Sequence, residues 1–291
     1  MSINLGGTYS ATTNAAIASY DTEVKQAYQG AAYVRNRVRV KTGVVGQTHN
    51  FRTMGKSVAT QHTSSELITP ADYTHTKKPA TLTNWRVGDY TDLFDQAETN
   101  IDERMELAAA NGMAVGRAED QLIIDALDAA TSIAGTVDED LGGTNSLINA
   151  TKLRRAKKFL MAKQARGGEH SILVNAAGLE GALSETEITS ADYQTFRALV
   201  DANLDEKVAF GFKWLVIEDR SEGGLPTGSA NIRLCFAFDR RAVGLAVGIE
   251  PRTYVDWVGE RLSWLSQAVV KAGSTVIDPE GVVEVQSYET P

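Results

Sequence analysis

The chain has 291 residues, 43% of them hydrophobic, and a formal net charge of −8. That length suffices for one large domain or two modest domains with a substantial core. The acidic balance argues against a freely DNA-binding protein, which gains affinity from clustered Lys and Arg, and is compatible with one that encloses DNA without gripping it. Cys235 is the only cysteine, so no intrachain disulfide or cysteine-based metal site can form, which fits a reducing cytoplasm.

The first thirty residues predict an arm. Residues 1–20 are rich in Gly, Ser, Thr, Asn and Ala, which is typical of a mobile segment, and residues 21–30 predict a short helix. The start lacks the basic segment and apolar run of a secretion signal, so none is expected. No apolar stretch approaches the ~20 residues of a membrane helix, so no membrane partner is expected.

Residues 33–41 alternate between apolar and basic side chains, which predicts a strand. Val34, Val38 and Val40 fall on one face. The other face carries four cations: Arg35, Arg37, Arg39 and Lys41. This face is either solvated or a basic stripe that meets an acidic neighbouring subunit, which would relieve the repulsion among like charges.

Residues 42–80 are mostly polar, with sparse large apolar residues and several glycines. Such a segment cannot bury enough surface to fold alone. It predicts a long projecting β-hairpin or loop, in which Phe51, Met54 and Val58 are the main apolar residues of the first half.

A strand is predicted over residues 81–92, followed by the longest helical pattern, residues 93–130. At ~1.5 Å per residue this helix would span roughly 50 Å. Glu119 interrupts its apolar stripe, and Glu119 and Asp120 are expected on the solvated helix surface. The stripe consists of Ile101, Met105, Ala108, Gly112, Val115, Leu122, Ile123 and Ala126.

The second half of the chain alternates short helices and strands without βαβ regularity, which predicts an α+β fold. The helices are expected at 151–165 and 190–204, and the strands at 170–175, 208–219, 231–239 and after 251. Residues 278–281 (Asp-Pro-Glu-Gly) have the composition of a type I turn, which would fold the following VVEVQ back as a hairpin strand.

No catalytic, cofactor-binding or metal-binding constellation is found, and the protein is not expected to be an enzyme. His49, His62 and His75 recur every thirteen residues in the polar loop, and coincidence is favoured over a metal site. His170 is expected at the surface. Asp138 and Asp140 faintly resemble a calcium loop, but its later ligands are absent, so an acidic turn is favoured.

The helix at 152–166 carries seven basic residues. Two interpretations are open. In the first, the helix presents a basic face to DNA or to an acidic partner. In the second, it is a solvated amphipathic helix with Leu153, Ala156, Phe159 and Leu160 packed inward. The acidic chain and the absence of interleaved aromatic residues favour the second interpretation or a subunit contact.

One block, WRVGDYTDLFDQAETNIDERMELAAANGMAVGRAEDQLIIDAL at residues 85–127, resembles the junction of strand and spine helix in the major capsid proteins of tailed bacteriophages. Those proteins share the Hong Kong 97-type fold. RVRVKTGVVGQTHNFRTMGKSVATQ (37–61) resembles the extended loop of that family, and KAGSTVIDPEGVVEVQ (271–286) resembles its closing strands. The resemblance covers most of the chain in the family's order.

The resemblance implies an α+β capsid fold with five regions. These are an N-terminal arm (1–32), an extended β-hairpin loop (33–84), a peripheral domain with the spine helix (85–149), an axial domain (150–250) and C-terminal strands that return to the core (251–291). The residues expected at inter-subunit contacts are Arg35, Arg37, Arg39, Lys41, Phe51, Met54 and Val58.

The implied function is a structural shell subunit, made in the host cytoplasm and located in the virion. It would assemble as hexamers and pentamers into an icosahedral head around double-stranded DNA, without sequence-specific DNA binding and without a cofactor. Expected partners are a portal, a decoration protein and, because the arm is short, a separate scaffolding protein. The alternatives are an encapsulin-like compartment, which would hold cargo, and an α+β enzyme with a cryptic site, which would form a small oligomer.

Overall fold

A computed structural model describes residues 32–65, 67, 70–94, 103–163, 165, 169–184, 208–220, 223–228 and 231–289. The predicted helices at 21–30 and 190–204, and almost all of the predicted arm, lie outside these residues. The described helices are α1 (Glu103–Asp128), α2 (Ala150–Ala162) and α3 (Ala176–Ser184), with 3₁₀ turns at Arg35–Arg37 and Pro279–Gly281.

Twelve strands are present in the described part of the chain. They are β1 (Arg39–Lys41), β2 (Thr48–Met54), β3 (His75–Thr81), β4 (Thr83–Asp92), β5 (Gly135–Val137), β6 (His170–Val174), β7 (Val208–Ala209), β8 (Phe212–Val216), β9 (Ile232–Asp239), β10 (Val243–Val258), β11 (Ser263–Val276) and β12 (Val282–Tyr288).

The strands form three sheets. One has the order β1-β10-β11-β4, the second has the order β5-β12-β9-β6-β8-β7, and β2 and β3 form a separate hairpin. This mixture of a few helices with largely antiparallel sheets confirms the predicted α+β class.

Helix α1 packs along one face of the four-stranded sheet. The Asn111 side chain donates to the Ser266 carbonyl at 3.0 Å, and the Ser266 hydroxyl donates to the Arg104 carbonyl at 3.2 Å. Val115 and Ile123 of the predicted stripe are buried, whereas Met105 is exposed. The long helix is therefore confirmed from Glu103 to Asp128, and it ends two residues before the predicted end at residue 130.

Helix α2 also matches its prediction, with Leu153, Ala156 and Leu160 buried. Its first turn differs, because Lys152 is fully buried rather than solvated. The Lys152 ammonium donates to the carbonyls of Ser146 at 2.6 Å and Gln286 at 2.9 Å. Burial lowers the pKa of Lys152 to about 8.

Three local predictions are wrong. Residues 33–41 do not form one strand, because a 3₁₀ turn occupies Arg35–Arg37 and only Arg39–Lys41 is a strand. The predicted strand 208–219 is broken by a tight turn at Phe210 and Gly211, which both have positive φ. Strand β12 does not form a hairpin with β11; it pairs with β9 and β5 in the other sheet.

Candidate assembly interface

The base of the β2–β3 hairpin, which includes Phe51 of β2 and Ala80 of β3, packs into the subunit core. The ring of Phe51 is 4% exposed and packs against Ala80, Leu82 and Ala246. Gly244 permits this close approach, because a Cβ at that position would lie 2.8 Å from the Phe51 ring. The base is therefore fixed to the face of the four-stranded sheet opposite α1.

The far end of the hairpin, from Met54 to the start of β3 at His75, buries little apolar surface, and Lys56 forms an exposed ion pair with Glu280 of its own chain. Beyond β2, the Gly55 amide still donates to the Thr74 carbonyl at 2.8 Å, which extends the ladder by one step. Met54 is 62% exposed and Val58 is 86% exposed. Large apolar side chains at this end thus face solvent in the single subunit, which is typical of a surface that a partner covers.

The hairpin also differs in charge from the rest of the molecule. Residues 42–81 include four basic and two acidic residues, whereas the whole chain has a net charge of −8. A positively charged projection on an acidic subunit is electrostatically suited to contact another copy.

The predicted basic stripe is divided between two environments. Arg35 donates to both carboxylate oxygens of Glu119, at 3.2 and 3.1 Å, and also contacts Glu250. Arg37 lies 3.8 Å from Glu169. These two arginines thus have partners within their own chain, as does the buried Phe51.

Arg39, in contrast, is exposed, and so is Lys41. The Arg39 guanidinium lies 5.9 Å from the centre of the Phe51 ring. Of the seven predicted contact residues, four are therefore exposed in the single subunit: Arg39, Lys41, Met54 and Val58. Their contact with another copy stays a prediction.

The acidic pair on α1 is buried, contrary to the expected solvated surface. Glu119 is 1% exposed, and burial raises its pKa despite the nearby Arg35 guanidinium. Asp120 accepts hydrogen bonds from the backbone amides of Tyr33 at 2.9 Å and Val34 at 3.1 Å. Burial raises the pKa of Asp120 to about 6, although these amides favour its charged form. The pair attaches the segment before β1 to the long helix.

Sequence reasoning missed a basic cleft beside this segment. Arg39 lines it together with Arg240 and Arg241, which form the tight turn between β9 and β10. The only signal in the sequence was an arginine pair between two predicted strands, which did not indicate its proximity to Arg39.

The histidines do not form a site. His49 lies near the base of the hairpin and His75 at the far end of β3, paired with Met54. His170 is buried rather than at the surface, within hydrogen-bonding distance of the Ala165 carbonyl at 2.6 Å. In the described part of the chain, the one cluster of three side chains that could ligate a metal is Asp138, Glu139 and Asp140.

Among the described helices, none is both long and apolar enough to span a membrane.

The fold of the chain is similar to that of single subunits in solved viral shells. The capsid protein of Ralstonia phage GP4 matches with a TM-score of 0.72 at 11% identity, covering 100% of this chain and 99% of that one. The capsid of cyanophage P-SCSP1u matches with a TM-score of 0.69 at 15% identity, covering 99% and 97%.

The head of the Helicobacter pylori bacteriophage KHP40 matches with a TM-score of 0.68 at 12% identity, covering 99% of this chain and 98% of that chain. These likenesses define the fold as that of a viral capsid subunit. A search of curated protein sequences found no significant match.

The sequence itself fits the family model described as phage capsid protein over residues 12–289, and the chain belongs to that family. It is a structural major capsid protein and a virion component, not an enzyme, and it assembles into a shell of many subunits. The family resemblance inferred from residues 85–127 is confirmed, and the encapsulin-like alternative is not favoured.

Proposed function

We propose that this capsid protein forms hexamers and pentamers that close into an icosahedral head around double-stranded DNA. The observation that carries the proposal is the hairpin, whose base is buried in its own subunit while its far end exposes Met54 and Val58. Such a projection makes a contact between two different surfaces, and contacts of this kind close into rings when their rotation permits.

The energetics support an intersubunit role for the exposed end. Burying an apolar side chain of this size contributes ~1.5–3 kcal/mol. A two-stranded hairpin is marginally stable in water without a supporting surface. A neighbouring subunit that covers Met54 and Val58 would therefore stabilise the hairpin and the ring together.

Arg39 and Lys41 are the basic contacts that we propose from the predicted set, because Arg35 and Arg37 already have acidic partners in their own chain. The net acidic chain supports enclosure of DNA without sequence-specific binding. We further propose, on family membership, a scaffolding protein, a portal and a decoration protein as partners. Synthesis in the host cytoplasm fits the single, buried cysteine.

Negative-stain electron microscopy of the purified chain, with and without a co-expressed scaffolding protein, tests this proposal. We expect closed shells together with ring-shaped units of six and five subunits. Monomers or dimers alone under both conditions would contradict it. A second experiment examines shells isolated from infected host cells. Shells that contain a protein cargo and no DNA would favour the compartment alternative.

A further inference from the structure

The basic cleft has a volume of about 510 Å³ and lies where the two large sheets meet. Three exposed arginines face it: Arg39 from β1, and Arg240 and Arg241 from the β9–β10 turn. The cleft opens to solvent, so these guanidinium groups are accessible to a partner.

The positive charge of the cleft is only partly balanced within the subunit. Its acidic lining residue, Glu169, is already shared by Arg37 at 3.8 Å and Lys213 at 2.9 Å. Among the described residues, no carboxylate forms an ion pair with Arg39, Arg240 or Arg241, although Arg240 interacts at longer range with Glu169 and Arg241 with Asp239. The cleft therefore presents a surplus of cations that an acidic partner would neutralise.

A cluster of three acidic residues lies directly after β5. One carboxylate oxygen from each of Asp138, Glu139 and Asp140 lies within 4.8 Å of the others. Among the described residues, no Lys or Arg forms an ion pair with these three groups, and the buried Lys152 ammonium is near enough to balance only part of their charge. Three carboxylates so close together repel one another, and a cationic partner would relieve that repulsion.

The topology places the two clusters at opposite ends of one sheet. The acidic turn follows Val137, which pairs with Val285 of β12, and β5 runs parallel to β12. The arginine turn follows β9, which runs antiparallel to β12 and pairs Phe238 with Val282. The length of β12 separates the ends by ~20 Å at ~3.3 Å per residue. One subunit therefore cannot join its own two clusters.

We propose that the basic cleft of one copy receives the acidic turn of residues 138–140 from the next copy, head to tail. This inference rests on the proposed assembly and specifies a second contact, separate from the hairpin. A positive and a negative patch at opposite ends of a subunit give the orientation that a ring of identical copies requires.

Charge reversal tests the pairing in the full-length chain under conditions in which the wild type forms shells. The double variant Arg240→Glu/Arg241→Glu should lower particle yield by about tenfold or more, because it places like charges together. Both residues hold their turn through backbone amides, which donate to the Glu169 carbonyl and the Asp239 carboxylate. The turn is therefore expected to persist.

The reciprocal variant Asp138→Lys/Glu139→Lys should lose particles to a similar extent. It removes the hydrogen bond from the Asp140 amide to the Asp138 carboxylate at 3.2 Å, but it retains Asp140, whose carboxylate accepts from the Asn145 amide at 2.9 Å. The combination of all four substitutions should restore particles to within about threefold of the wild type, because the charges are exchanged rather than removed. Light scattering gives the yield, and circular dichroism verifies that each variant is folded.

The control is Arg155→Glu/Lys158→Glu on the exposed face of α2. It changes the net charge by as much as the cleft variant does, and we expect normal shells from it. If the cleft variant or the turn variant assembles like the wild type, or if the fourfold variant stays as defective as the two double variants, the proposed pairing is wrong.

Normal shells that have lost only their packaged DNA would show that the cleft binds nucleic acid instead. If a reversed variant does not fold, Arg240→Gln/Arg241→Gln replaces it, and normal yield for that variant also overturns the pairing. Absence of wild-type shells would count against the proposed assembly itself.

Discussion

The base and the far end of the hairpin belong to the same pair of strands, but the base is buried in the subunit and the far end is exposed to solvent. At the base, Phe51 fills a pocket whose floor is Gly244, and the ring is almost completely buried. At the far end, Met54 and Val58 are largely exposed. The base contributes to folding of the subunit, whereas the far end contributes no comparable burial until another copy covers it. Substitutions in the two places should therefore separate folding from assembly.

The largest effect on folding is expected from Phe51→Ala at the base. Truncation of a buried phenylalanine leaves a cavity and typically costs ~3–5 kcal/mol. Urea denaturation of the unassembled subunit measures the loss. Val58→Ala is the control, with less than about 0.5 kcal/mol expected at an exposed position. Equal losses for both variants would remove the distinction between base and far end.

A smaller loss is expected from Glu119→Gln, next to the segment that leads into the hairpin. The substitution removes one of the two negative partners of Arg35, since Glu250 stays in contact with the same guanidinium. Burial raises the pKa of Glu119 and so offsets much of the attraction to Arg35. We therefore expect a loss of only about 1 kcal/mol in the free energy of unfolding, because the Gln amide cannot accept both hydrogen bonds from Arg35. The control on the same helix is Asp125→Asn, at an exposed position. A Glu119→Gln subunit as stable as this control would show that the ion pair adds nothing.

The acidity of Asp120 makes the stability of this segment depend on pH. Its pKa is about 6 in the folded subunit, above the ~3.9 of an unfolded chain. Between these values the folded state binds more protons, so this residue's contribution to stability falls as the pH rises from about 4 to 6. The wild type should therefore lose up to ~3 kcal/mol relative to Asp120→Asn across that window, at 1.36 kcal/mol per pKa unit.

Urea denaturation of both proteins at pH 4, 5, 6 and 7 measures the difference. The comparison with Asp120→Asn cancels the contribution of Asp239 and Glu280, whose lowered pKa values act in the opposite direction. A wild type that gains stability relative to the variant as the pH rises would contradict the assignment.

The smallest effect is expected from Lys56→Ala at the far end. Lys56 pairs with Glu280, but its side chain is 78% exposed, and water and salt screen such a pair. We expect no measurable change in the thermal midpoint of the subunit. A clear decrease would show that the far end is fixed to its own chain and not free to contact another copy.

The sequence predicted the features whose signal is local. The period of α1, the buried stripe of α2 and the polar composition of the hairpin are all present in short windows, and each prediction agrees with the structure. What failed depends on distant partners. The 3₁₀ turn at Arg35–Arg37 lies beside Glu119 and Asp120, more than eighty positions away. The pairing of β12 with β9 and β5 likewise has no signature within β12 itself.

The candidate interface shows the same division. Exposure of Met54 and Val58 followed from a polar segment too poor in apolar residues to fold alone. Burial of Phe51 did not follow, because it requires the small residues Gly244 and Ala246 opposite the ring. The cleft arginines were equally hidden, since only the folded chain brings Arg39 beside the β9–β10 turn.

The most direct test of the hairpin's role is a deletion of residues 56–73, replaced by Asn-Gly as a two-residue turn. This change retains Phe51, both strands and the Gly55–Thr74 hydrogen bond, and Asn-Gly suits a tight hairpin turn. The measurement is the particle mass distribution by analytical ultracentrifugation, with a urea denaturation curve of the same sample. We predict a subunit of near wild-type stability that forms no shells. Shells at the wild-type yield would contradict the assembly role of the far end, and an unfolded subunit would contradict its separation from the core.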